Sequence, residues 1–176
     1  MTPAKVEFEG LCQRLSWIQR VAMSAHRHLK RLSNIWIEQP VYFVTACVAG
    51  RRALLARETV HAIFRKEWQE MAARNGWAVG RYVIMPDHVH FFATPSPVAS
   101  FALSIVVGRW KEWTAKRALR DLGAWPPLWQ PGFFDHVIRS DESMSEKWIY
   151  VRENPVRAGL VAKAEDWPYA GSIDFE

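Results

Sequence analysis

The sequence predicts an α+β fold: a ferredoxin-like split βαβ antiparallel sheet with an additional C-terminal helix. Three observations predict it. β-Branched and aromatic runs alternate with segments of 3–4 apolar spacing, in the order strand, helix, strand, strand, helix, strand, helix. The second and third strands are separated only around Pro86-Asp87, which leaves room for a hairpin and not for a crossover. A chain of 176 residues, 49% apolar and 23% charged, suits one soluble domain that buries a proper core.

The first strand is "VYFVTACV" (41–48), and "GRRALLA" follows as a turn and connection. A helix runs from about 58 to 74, with Val60, Ile63, Phe64, Trp68 and Met71 on one face. Asn75-Gly76 ends it, because both residues tolerate the left-handed conformation. "WAVGRYVIM" (77–85) and "HVHFFAT" (88–94) form the hairpin. A second helix spans about 98 to 121, stopped by the Pro/Gly-rich "LGAWPPLWQPGFF". "FDHVI" (134–138) is a short fourth strand. Ser140-Asp141 caps a last helix that ends near "RENP", since Pro155 disfavours helical geometry before it. The remainder, "VRAGLVAKAEDWPYAGS", reads as turns and a docked tail.

Residues 1–33 form a basic leader, and 34–176 form the domain proper. "RLSWIQRVAMSAHRHLKRLS" mixes apolar residues with Arg14, Arg20, Arg27, Lys30 and Arg31. It reads either as a loosely docked amphipathic segment or as an arm for a phosphate backbone. A net charge of +5 and a sequence pI near 9.5 favour a polyanionic partner. Ten tryptophans add flat surfaces for core packing or for stacking on unpaired bases. Cys12 and Cys47 stand alone, without a CxxC pair or a disulfide framework, which fits a reduced, cytoplasmic protein. No apolar run approaches the roughly 18 to 20 residues that cross a bilayer, so no membrane role is expected.

The chemistry concentrates in "MPDHVHFFATP". Alternation along a strand sends His88 and His90 to one side and Val89 to the other. That spacing suits two ligands of one metal ion; it equally suits two half-buried histidines without one. On the last helix, Tyr150 and Asn154 lie four residues apart and share a face. Leaning over the sheet beside the histidines, that face brings a phenol and a carboxamide to the same point. Two imidazoles and an amide oxygen make a modest site for Mg²⁺ or Mn²⁺. Zn²⁺ is less favoured, because neither cysteine lies near the pair. The plainer alternatives are a rim tyrosine of the core and an asparagine that caps a helix end.

Four blocks in order carry a resemblance: "MPDHVH", "LWQPGFFDHVIRSDESM", "YVRENPVRAGLV" and "DWPYAGS". Together they resemble the REP-associated tyrosine transposases, members of the single-tyrosine HUH superfamily. The resemblance covers about residues 34 to 172. It implies a ferredoxin-like core and a metal-dependent strand transferase of bacterial cytoplasm and nucleoid. It also implies a last helix that carries the nucleophile. His88 and His90 would be metal ligands, Tyr150 the nucleophile and Asn154 the third ligand. Related transposases use glutamine at that last position. The substrate implied is single-stranded DNA, folded into hairpins at palindromic repeats. A tyrosine nucleophile would form a 5′-phosphotyrosine link and free a 3′-hydroxyl. A free phenol ionises near about 10, so it needs a cation or a base beside it. One tyrosine per chain fits a monomer that cleaves sequentially or a homodimer.

DNA contacts divide into two sets. Arg109 and Lys111 lie in "GRWKEWTAKRALR", interleaved with tryptophans, either facing phosphates or as a solvated helix face. Arg139, Arg152 and Arg157 flank the expected site more closely. Trp125, Trp129, Phe133 and Phe134 are candidates for base stacking, with Trp129 equally suited to anchoring the fold. Two rival functions remain open: a non-catalytic, domesticated hairpin-binding protein, and a metallohydrolase that activates water and leaves no protein–DNA link.

Overall fold

A computed structural model describes residues 40–138 and 141–176. Five strands form one antiparallel sheet in the order β4-β1-β3-β2-β5. They are β1 (Val41–Cys47), β2 (Trp77–Ile84), β3 (His88–Pro95), β4 (Phe134–Ile138) and the two-residue β5 (Ala170–Gly171). The first four strands and their helices follow the expected ferredoxin-like order. The basic leader and Arg139 lie outside the described residues, as does the expected cap at Ser140.

Helix α1 (Glu58–Asn75) buries Val60, Phe64, Trp68 and Met71, a stripe with the spacing of successive helical turns. It stops at Gly76, whose φ of 70° is left-handed and whose N–H reaches the Ala72 carbonyl. Helix α2 (Leu103–Leu122) buries Leu103, Val106, Val107, Trp110 and Ala118. Both helices cover the same side of the sheet. Phe64, Trp68, Trp110, Tyr82 and Phe91 form an aromatic core there, with Trp68 and Trp110 stacked at 5.6 Å.

Helix α2 starts at residue 103 and not near 98. The Trp77 indole takes the Phe101 carbonyl at 2.9 Å, and the chain from Ser96 turns before the first helical bonds form at Ala102.

The other side of the sheet carries a smaller core of Phe43, Val83, Met85, Phe92, Ile138 and Val151. Helix α3 (Asp141–Arg152) packs there through Met144, Trp148 and Val151. The last helix ends at Arg152, near "RENP" as expected, but the shared helical face expected for Tyr150 and Asn154 is not formed. Glu153 interrupts the helix, and α4 (Asn154–Arg157) follows as a separate four-residue turn. Tyr150 and Asn154 therefore belong to different helices. The physical reason is Pro155: it has no N–H for the Val151 carbonyl, yet it suits the first turn of a new helix.

The docked tail is observed, and it runs along β2. Val79 exchanges bonds with Asp174 at 2.8 Å each way, and Arg81 meets Glu176 at 2.9 Å. The register shifts between Val79 and Tyr82, so both face the larger core while Val83 turns to the smaller one. Gly80 sits in this irregularity because the Phe175 ring occupies the space a Cβ would take.

Candidate functional site

Register builds the site. Val89, Phe91 and Ala93 enter the helix-covered core, so His88 and His90 project to the other side, with Phe92. That is the side on which α3 packs. Thr45 lies opposite His90 and Cys47 opposite His88. The expectation that neither cysteine lies near the histidines is thus corrected for Cys47. Strand pairing makes neighbours of residues 41 positions apart, which separation along the chain conceals.

Both histidines are buried, and each has Nδ1 engaged. His88 Nδ1 lies 2.6 Å from Asp87 Oδ1, and His90 Nδ1 lies 2.8 Å from Thr45 Oγ1. The rings meet edge to face at 4.7 Å, and Phe43 stacks on His90 at 5.2 Å. His90 Nε2 is buried and has no hydrogen-bond partner among the described residues. Burial, then the nearby charges of His88, Lys147, Arg51 and Arg157, hold the His90 imidazole well below the ordinary histidine range. A neutral ring results. Hydrogen bonds that hold each Nδ1, and the unpartnered Nε2 of His90, fit a cation-ligating pair. Among the described residues, no group of three or more His, Cys, Asp or Glu is arranged to hold a metal ion, so a complete site needs an amide, a phosphate or water.

Cations gather from three elements. Arg51, in the 3₁₀ turn after β1, binds Asp87 Oδ2 at 2.8 Å. Lys147 of α3 places Nζ 4.7 Å from the Phe43 ring centroid, and burial lowers its pKa. Arg157 of α4 stacks its guanidinium 4.1 Å from the Tyr150 ring centroid and donates to the Tyr150 carbonyl at 2.6 Å. It also bonds to Asn154 Oδ1. Asn154 is buried, whereas Tyr150 is 42% exposed. The carboxamide oxygen proposed as a ligand is held by a guanidinium in this arrangement.

The other candidates disperse. Arg152 meets Glu165 at 3.4 Å on the surface. Lys111 is tied to the carbonyls of Gln130, at 2.7 Å, and Gly132, which fixes the loop before β4. Arg109 stacks on Phe101 at 4.2 Å and lines a groove between α1 and α2, on the side of the sheet away from the histidines. Trp129 is only 6% exposed; its indole packs on Trp110 and Phe64 and donates to Thr114 Oγ1 at 3.2 Å. It is a core residue. Phe133 is half-buried against the same core.

Sequence reasoning passed over Thr45, Arg51, Asp87 and Lys147. Asp87 carried a visible signal, a carboxylate directly before His88 in "MPDHVH". Thr45 carried none, since only strand pairing sets it beside His90.

A model of the family described as "Transposase IS200 like" matches residues 37–154, well over half the chain. The chain belongs to that family. A REP-associated tyrosine transposase of Escherichia coli strain K12 is 26% identical over 136 residues, covering 77% of this chain and 78% of the relative. A solved REP-associated tyrosine transposase bound to a REP hairpin matches with a TM-score of 0.62 at 22% identity, covering 81% of this chain and 82% of that one. That likeness carries the fold. The resemblance read from "MPDHVH" and "YVRENPVRAGLV" agrees with these matches. Among the described residues, no helix of this transposase-family chain is long and apolar enough to cross a membrane.

Proposed function

We propose that this chain cleaves and rejoins single-stranded DNA beside a hairpin, by transesterification at Tyr150. The reading rests most on one observation. The paired histidines, with both Nδ1 atoms engaged and one Nε2 orphaned, face the same side of the sheet as the helix that bears Tyr150. Transposase family membership and a hairpin-bound structural relative support the substrate class.

Mg²⁺ or Mn²⁺ held by His88 and His90 would supply positive charge that polarises the scissile phosphate and favours an ionised phenol. Tyr150 Oη attacks phosphorus, a tyrosyl–phosphate bond forms, and the bond to the 3′-oxygen breaks. The phenol proton passes to solvent water, and the departing 3′-oxygen takes up a proton from solvent to become a hydroxyl. A 3′-hydroxyl attacking the tyrosyl phosphate reverses the step and joins strands without an external energy source. Arg157, Arg51 and Lys147 attract and orient the phosphate. Asn154 Oδ1, bonded to Arg157 here, would be a third donor atom for such an ion if Arg157 engaged the phosphate instead.

The test is a labelled hairpin oligonucleotide with a single-stranded flank, incubated with protein and Mn²⁺ and then denatured. A protein–DNA adduct is expected, absent from Tyr150→Phe while hairpin binding persists. An adduct that survives in Y150F overturns Tyr150 as nucleophile. Binding without an adduct identifies a non-catalytic hairpin-binding protein. Cleavage with no adduct at any time identifies a metallohydrolase.

A further inference from the structure

We infer that Asp87, backed by Arg51, is a positioning residue for the cation site: its carboxylate holds His88 as the Nδ1–H tautomer and turns Nε2 outward as the ligand atom. The inference rests on the reading of His88 and His90 as a cation-holding pair. It goes beyond that reading by assigning what prepares the pair.

The two carboxylate oxygens of Asp87 have different tasks. Oδ1 lies 2.6 Å from His88 Nδ1, while Oδ2 takes Arg51 Nε at 2.8 Å. An ionised carboxylate only accepts hydrogen bonds, so the ring nitrogen facing it must carry the hydrogen. The other ring nitrogen then presents a lone pair. The hydroxyl of Thr45 both donates and accepts, so its bond to His90 does not dictate a tautomer. The two histidines are therefore prepared differently.

Arg51 fixes the carboxylate from behind. A second nitrogen of its guanidinium reaches Cys47 Sγ at 3.0 Å, which ties Asp87 to the end of β1. Arg51 has a φ of 54°, the left-handed region that a β-carbon disfavours. The turn that holds this conformation is closed by Arg51 N–H to the Val48 carbonyl at 3.0 Å and Ala49 N–H to the Leu128 carbonyl at 2.8 Å. The backbone around Asp87 is pinned as well. The Asp87 carbonyl accepts from Val48 N–H at 2.9 Å, the Pro86 carbonyl from Leu55 N–H at 2.8 Å, and the His88 carbonyl from Met85 N–H at 2.8 Å. A carboxylate held at both oxygens, on a pinned loop, orients a ring before any ion arrives.

The test uses the full chain and two measurements, neither of which is activity. Imidazole ¹H–¹⁵N spectra of the cation-free protein report the His88 tautomer, and Mn²⁺ titration reports affinity. The wild type is expected to show Nδ1–H at His88. Asp87→Ala is expected to shift His88 toward Nε2–H and to weaken Mn²⁺ roughly 10- to 100-fold. The near-isosteric Asp87→Asn guards against a folding defect and is expected to lose affinity in the same direction. Nε2–H at His88 in the wild type, or affinities of both variants within twofold of the wild type, overturns the inference. A wild type that binds no Mn²⁺ overturns the cation-site reading instead, and the tautomer alone then decides the role of Asp87.

Discussion

The guanidinium of Arg157 lies 4.1 Å from the centroid of the Tyr150 ring. It crosses the break between α3 and α4 to do so, and it holds the Tyr150 carbonyl and Asn154 Oδ1 with the same group. One side chain thus bundles the proposed nucleophile, the proposed third ligand and a positive charge.

Arg157→Ala is expected to lower adduct formation by about a hundredfold, the scale of losing one donor aimed at developing charge. It should also weaken DNA binding and reduce the slope of log affinity against log salt by about 1. Adduct assays and salt titrations check this. A rate within threefold of the wild type would remove Arg157 from the site.

Mn²⁺ is expected to raise the thermal midpoint. At a hundred times its Kd, one bound ion stabilises by about 2.7 kcal/mol, or roughly 5 to 10 °C for a chain of this size. Chelator should remove the gain, and His88→Ala with His90→Ala should abolish it. Differential scanning fluorimetry at matched ionic strength reads the outcome.

His61 carries a pH prediction. It sits on α1, with Nε2 2.9 Å from the Tyr82 hydroxyl, and burial followed by Arg65 lowers its pKa from the ordinary 6.5. The unfolded chain therefore takes the proton first as pH falls. Stability is intact above about 6.5 and declines below it, by at most about 1.4 kcal/mol per pH unit for one such group. His90 adds to the decline in the cation-free protein, because its pKa is lowered too. Denaturant unfolding between pH 7.5 and 5 should show the decline, with a shallower slope in His61→Gln.

Two aromatic residues should separate in opposite ways. Trp129→Ala empties part of the aromatic core and should cost about 3–5 kcal/mol of stability. Phe134 is 37% exposed on β4, in register with Thr45, which stands between it and His90 on the same face of the sheet. Phe134→Ala should leave stability within about 0.5 kcal/mol, yet weaken binding of a hairpin with an unpaired flank by roughly 5- to 150-fold. An abasic flank should erase that difference. Equal binding of both flanks by wild type and variant would remove Phe134 from the DNA surface.

The sequence by itself determined the order of the first four strands and their three main helices, the end of α1 at Gly76 and the common face of His88 and His90. These features are local: alternation, helical spacing and turn chemistry act within a few residues. Tertiary structure alone decided what surrounds those histidines. Pairing of β1 with β3 set Thr45 and Cys47 beside them, and the irregularity in β2 turned Val83 to their side. It also decided that α3 covers the side left open by α1 and α2, and that Trp129 is core while Phe134 is not. Register and coverage depend on contacts between residues far apart in the chain, and a one-residue slip would send each strand's side chains to the opposite face.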